Sequence, residues 1–292
     1  LLLTGCGSSA GTPVPTACEF RLPPAPAHGE VPLAVMRDIA AGPTEYLVGV
    51  PGGPVVVLTQ STGFSPPQLA GASIFFSRRR GTNSSVYLGS MGGCAHRVVD
   101  GTLGAVEPGG RAFSVLVNSH WLLYDAAGHR VSQLTGASGS WTRDGHLVEP
   151  TAAGIDVFDL AGKHRSMPLA GAAPLGALGN HQELVSTASG IQVLDIVTGG
   201  MTPLNAGAKL IRAPGGSPDG TRVAFLDANG VGQVLELATG KTRALPAPAL
   251  TTGFAWSHDS AWIGVQSTYG GAELRLADGR VVDSGSLVVV SW

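Results

Sequence analysis

The sequence predicts an all-β protein, a seven-bladed β-propeller of four-stranded antiparallel blades, and three observations predict it. First, a short apolar strand closed by a glycine turn recurs. The copies SVYLGSMGG, WLLYDAAG, IDVFDLAG, IQVLDIVTG, VLELATG and ELRLADG end at Gly93, Gly128, Gly162, Gly199, Gly240 and Gly279, in steps of 35, 34, 37, 41 and 39 residues. Second, an independent marker keeps the same step: WTRD ends at Asp144, GSPD at Asp219 and WSHD at Asp259, with His181 in the intervening slot. A period near 40 residues with several short strands per repeat is the signature of a propeller blade. Third, the first repeat lacks its innermost strand, and the last stretch of the chain supplies a candidate. Ser286 to Trp292 (SLVVVSW) ends in Ser-Trp, as Ser140-Trp141 does.

Residues 217–246 are the clearest copy. Ser217-Pro218-Asp219-Gly220 has turn chemistry: Pro presets φ, Asp bonds the backbone ahead, and Gly accepts positive φ. RVAFL (222–226) and QVLEL (233–237) are β-branched or aliphatic strands around a Gly/Asn-rich loop, and KTRAL (241–245) is a more polar third strand. A strand before Pro214 completes the meander. The residues SPDGTRVAFL and VLELATGKTRAL resemble the repeats of TolB-type, WD-like propellers, over roughly residues 31–292. The resemblance implies a fold. Such propellers bind proteins, peptides and small ligands, and some are enzymes, so function has to be argued from the site.

In chain order, LLLTGC at Leu1–Cys6 resembles the end of a bacterial lipoprotein signal, the lipobox, in which cleavage precedes a Cys that is then acylated. This reading makes residues 1–6 a signal remnant with Cys6 lipidated, and places the protein outside the cytoplasm, held to the bacterial cell membrane. Residues 7–30 are rich in Pro, Ser and Ala without periodicity and read as a flexible tether. With Cys6 acylated, Cys18 and Cys94 remain; exported cysteines usually pair, so a Cys18–Cys94 disulfide is expected, with two free thiols as the alternative. The propeller then fills 31–292. Its blades are about 31–61 with 286–292, 68–100, 104–136, 137–171, 173–206, 210–248 and 250–284. A six-bladed ring is the alternative, should 31–61 pack outside. Central strands read apolar on both faces, as sheets sandwiched between neighbours require. Small residues on innermost strands (Gly139, Ser140, Ala177, Gly215, Gly216) suit crowding at the axis.

Charged residues make up 13% of the chain and the net charge is −2, so a polyanion-binding balance is missing and no nucleic-acid partner is expected. No apolar run reaches the length of a membrane-spanning helix. No nucleophile elbow, P-loop or dinucleotide fingerprint occurs in context, and the His are scattered. No catalytic residue, cofactor or metal is therefore expected. Asp144, Asp219 and Asp259 read as caps of their own turns, and Asp125, Asp159, Asp195 and Glu236 likewise.

The remaining polar signals lie between second and third strands. Arg78-Arg79-Arg80 follow SIFFS, Asp227 and Asn229 lie in the sixth blade's loop, and Gln266 and Tyr269 in the seventh's. Arg and Tyr in these positions favour an anionic or peptide partner, against the plainer reading of solvated loops. The function expected is a monomeric, membrane-anchored propeller that binds an envelope protein or peptide. An exported hydrolase or lyase acting on carbohydrate or peptide is the alternative, and a small-ligand sensor a third reading.

Overall fold

The computed structural model describes residues 18, 20–22, 24, 33–37, 44–49, 55–61, 66–80, 82–136, 139–204, 212–245, 251–267, 270–276, 279–283 and 288–291. Among them every regular element is a strand, and the strands form seven sheets. Six sheets are four-stranded meanders and one has five strands. No helix among the described residues is long and apolar enough to cross a membrane.

The seven expected blades are all present. Blade one is Leu33–Arg37, Thr44–Gly49 and Val55–Ser61, with Val288–Ser291 as its innermost strand. The closing strand lies antiparallel to Leu33–Arg37, with Val35 opposite Val289 and Met36 opposite Val288. The two ends of the propeller chain therefore share a sheet, and the ring has no open seam there. Blades two to seven start at Gln68, Thr102, Ser140, Ala173, Arg212 and Thr251 and run outward from the axis in sequence order.

Burial explains why the central strands are apolar on both faces. The core is a series of shared layers between adjacent sheets. Phe75 and Val86 of blade two pack with Leu103, Phe113 and Tyr124 of blade three, and Phe75 meets Phe113 at 5.4 Å between ring centroids. Ala112, Leu123 and Leu134 of blade three pack with Trp141, Leu147 and Phe158 of blade four. Val148 and Ile155 of blade four pack with Val185 and Leu194 of blade five, and Ala224 and Val234 of blade six with Ile263 and Val265 of blade seven. Each blade thus buries both faces, and a side chain such as Phe75 or Phe113 contributes about 2–3 kcal/mol of transfer free energy to such a layer.

Crowding at the axis is satisfied as the sequence suggests. A Cβ on Gly216 would collide with the Ala177 carbonyl of the neighbouring inner strand. Tryptophans that end inner strands tie neighbours together. Trp141 Nε1 donates to Ala105 O of blade three at 3.3 Å, and Trp256 Nε1 to Gly215 O of blade six at 2.9 Å.

The segment expected as a free tether is partly built into the ring. Phe20–Arg21 adds a fifth strand outside Cys94–Asp100 of blade two, with Phe20 opposite Ala95. Cys18 and Cys94 are joined by a disulfide with Cα atoms 5.2 Å apart. Leu22 N donates to Gly93 O at 3.0 Å, and the Leu22 side chain is 3% exposed within the layer shared by blades one and two. Gly89 makes that seat possible: a Cβ there would lie 2.6 Å from Leu22 Cδ1 and 2.7 Å from Ala95 Cα. A two-residue strand and one buried leucine were invisible to a compositional reading of a Pro- and Ser-rich stretch. Cys6 lies outside the described residues.

Candidate functional site

Antiparallel meanders send every turn between first and second strands to one face of the ring. On this face the turns of blades four to seven touch one another around the axis. Their common form is a hydroxyl residue, one variable residue, then Asp: Thr142-Arg143-Asp144, Ser217-Pro218-Asp219 and Ser257-His258-Asp259. In each, the buried hydroxyl donates to the Asp carboxylate at 2.6 Å. Asp219 also accepts from Thr221 N and Thr221 Oγ1, at 3.0 and 2.8 Å, and Asp259 from Ala261 N at 3.0 Å. The expected capping role of these aspartates is what the turns display. Burial opposes ionisation of Asp219, but donors from Ser217, Thr221 and Arg222 outweigh it and hold the carboxyl far below its ordinary value.

With hydroxyl and Asp engaged inside the turn, the variable middle residue is left for contacts between blades. The turns are chained by hydrogen bonds from backbone N–H groups: Asp144 N to Asn180 O at 3.2 Å, Gly179 N to Ser217 O at 3.1 Å, and Asp219 N to the Ser260 hydroxyl at 3.0 Å. Arg143 crosses this chain. Its Nη1 passes blade five and donates to Pro218 O of blade six at 3.3 Å. His258 of blade seven senses the same guanidinium. Burial, then the Arg143 charge, lower the His258 pKa against the opposing pull of Asp259, so the imidazole is neutral at pH 7. Blade three joins from the other side, where Arg111 is held by fully buried Glu107 at 2.6 Å and its guanidinium lies against Gly145. This end of the axis, the axial mouth, thus brings together Arg143, Asn180 and His258, two side chains that donate and a neutral imidazole, beside Pro218, whose carbonyl Arg143 already engages.

Ser260 shows how tightly the mouth is specified. It holds φ at +58° where Gly145 and Gly220 stand in the equivalent turns, and it is 2% exposed. A left-handed conformation at a non-glycine residue costs about 1–2 kcal/mol. Its hydroxyl offsets that cost by accepting the Asp219 N–H, and its carbonyl accepts from Arg222 at 3.2 Å.

The described ones among the residues singled out in the sequence lie on the opposite face, on three different blades. Arg78, Arg79 and Arg80 do not open a loop; they end the strand Ser73–Arg80, opposite Ser85, Ser84 and Asn83, and so lengthen a hairpin. Asp227 is 8% exposed, and its carboxylate accepts from Asn229 N, Val231 N and Gln233 Nε2, so it shapes its own turn. Asn229 is exposed at that turn. Gln266 is inside the strand Trp262–Ser267, where its amide oxygen occupies the space a Gly253 side chain would need. Tyr269 lies outside the described residues. The signal for the mouth was present in the repeat itself, in the middle residue of each hydroxyl-x-Asp turn.

One buried acid also escaped the sequence reading. Glu183 of blade five stands opposite Leu194, at the register where the other blades place Phe113, Leu147, Val223 and Ile263. Its Oε1 accepts from Ser140 Oγ of blade four at 2.6 Å and from Gly176 N at 2.8 Å, while Oε2 is buried without a partner. Burial raises its pKa to about 8 against these two donors. In blade four, fully buried Glu149 faces Asp156 across the strands and accepts from Thr135 N and Gly136 N; burial chiefly, and Asp156 as well, raise its pKa. Among the described residues no three His, Cys, Asp or Glu stand together as a metal-binding set.

No family model matches the chain, and no curated protein matches its sequence. Solved structures match its fold. The chain is similar to TolB from Acinetobacter baumannii, with a TM-score of 0.55 and 14% identity over 90% of this chain, and it spans 66% of that one. An oligogalacturonate lyase in complex with manganese matches at a TM-score of 0.58 and 10% identity, over 88% of this chain and 85% of that one. The propeller domain of the Trilobed protease from Pyrococcus furiosus matches at 0.62 and 10% identity, over 87% and 94%. That domain is described as having an open velcro topology, whereas here the strand Val288–Ser291 pairs with Leu33–Arg37 of blade one. These likenesses show a TolB-type propeller fold.

Proposed function

We propose that this protein is an extracytoplasmic propeller, anchored to the cell membrane through Cys6, that docks a protein or peptide of the envelope at its axial mouth. The observation that carries the docking reading is that Pro218 and His258 meet the Arg143 guanidinium, the three being the middle residues of equivalent turns on one face. The aspartates beside them are engaged in their own turns, which leaves the mouth donor-rich. The lipobox-like LLLTGC supports the anchor, and the disulfide suits an oxidising compartment.

A photo-crosslinking residue at His258, in the full-length precursor expressed in a bacterial envelope, tests the docking. One discrete adduct is expected, lost when Arg143→Glu is added and absent with the crosslinker at Asn229. Equal adducts from both faces, or an adduct indifferent to Arg143, would refute docking at the mouth. Anchoring is read separately, by release of Cys6→Ser from the membrane fraction.

A further inference from the structure

Between blades six and seven the same face opens a cleft of about 600 Å³, within the size range of small-molecule sites. Its apolar lining comes from Val234, Leu276 and Ala261, and its polar lining includes Arg222, Lys241 and Arg243. Arg222 is the fixed member. Its side chain is 21% exposed, its Nη2 donates to Asp219 Oδ2 at 2.9 Å and to Ser260 O at 3.2 Å, and its Cζ lies 5.5 Å from the centre of the Trp256 ring. Nε and Nη1 make no bond to any described residue, so a positioned guanidinium keeps single N–H donors unused. Lys241 and Arg243 are exposed, two residues apart on the outer strand's side of the cleft, and neither head group has a described partner. The nearby acids are accounted for differently. Asp219 and Asp259 are bound within their turns, and only the exposed Glu236 lacks a described side-chain bond.

We propose that this cleft binds a small amphipathic anion, a carboxylate or phosphate head group on a compact apolar body. The head group lies among Arg222, Lys241 and Arg243, and the body lies on Val234 and Leu276. A guanidinium already immobilised loses little entropy when its remaining donors meet an oxyanion. The site is separate from the docking reading, because Lys241 and Arg243 belong to the outer part of blade six and take no part in the mouth.

Calorimetry of the folded chain at low ionic strength tests it, with phenyl phosphate and hexanoate as the two head-group arms, and inorganic phosphate and benzyl alcohol as controls. Saturable binding of at least one amphipathic anion is expected, tighter than inorganic phosphate and absent for the neutral alcohol. Lys241→Gln combined with Arg243→Gln should weaken it at least tenfold without moving the urea midpoint. Glu236→Gln should strengthen it, and Lys163→Gln on blade four should leave it unchanged. The proposal is overturned if neither anion binds saturably, if benzyl alcohol binds as well, or if the double variant retains full affinity.

Discussion

Replacing Glu183 by Gln isolates the cost of a carboxyl at a core register position. The ordinary value for this group is 4.5, and burial raises it to about 8 in the folded protein. Between those values the folded state keeps a proton that the unfolded chain has released, so stability falls as pH rises through the window. At about 1.4 kcal/mol per pH unit, the loss from this residue between pH 5 and pH 8 is about 3–4 kcal/mol. Glutamine preserves the shape and keeps an oxygen for the Ser140 hydroxyl and the Gly176 N–H, yet carries no titratable group. Urea unfolding of both proteins from pH 5 to pH 8.5 should therefore give nearly equal free energies at the acid end. The variant should be more stable by roughly 3 kcal/mol at pH 8. Curves that stay parallel across the range would refute the burial argument. Glu183→Leu is the contrasting change: it matches the side chain in blade four but strands the Gly176 N–H and the Ser140 hydroxyl, and should be less stable than the Gln variant at every pH.

Four further outcomes follow from the turns and the fifth strand. Cys94→Ser removes a cross-link between residues 76 apart in sequence, for which chain entropy alone gives on the order of 4 kcal/mol, while Leu22→Ala in the intact disulfide protein should cost about 2–3 kcal/mol by emptying its seat; chemical denaturation reads both. Ser260→Gly relieves the positive φ but loses the acceptor for Asp219 N–H, so it should be less destabilising than Ser260→Ala, which keeps the strain and loses the bond, and the reverse order of Tm would contradict the offset described above. Asp219→Asn should flatten the acid limb of the stability profile, since a carboxyl held low contributes stability that is lost only as pH falls through its folded pKa; an unchanged limb below pH 4 would count against that.

The repeat was readable because each blade repeats the same physical problem. A strand buried on both faces needs an aliphatic run, and the turn after it needs a glycine at positive φ, as at Gly128, Gly162, Gly199 and Gly240. Blade one was readable for a related reason: a meander short of one strand has to find it elsewhere in the chain. The mouth was harder. Asp144, Asp219 and Asp259 drew notice as charges, yet each is consumed by its turn, and the working positions are the residues before them, which share no chemical type: Arg143, Pro218 and His258. Arg78 to Arg80 stood out by charge density alone, and a cluster of like charges says nothing about which strand will carry it. Glu183 was hidden because its register becomes evident only when the strand opposite is known.

The disulfide also sets the path by which force enters the molecule. The ring is closed by Leu33–Arg37 and Val288–Ser291, a short pairing between the two ends of the propeller chain. Tension applied anywhere before Cys18 passes through the covalent bond to Cys94, at the outer strand of blade two. The load then bypasses the closing pair. Reduced, the same pull would first peel Phe20–Arg21 and Leu22 from blade two and then arrive at Leu33, where it would unzip the ring at its closing pair. The oxidised cysteines act as a strain relief for the closure.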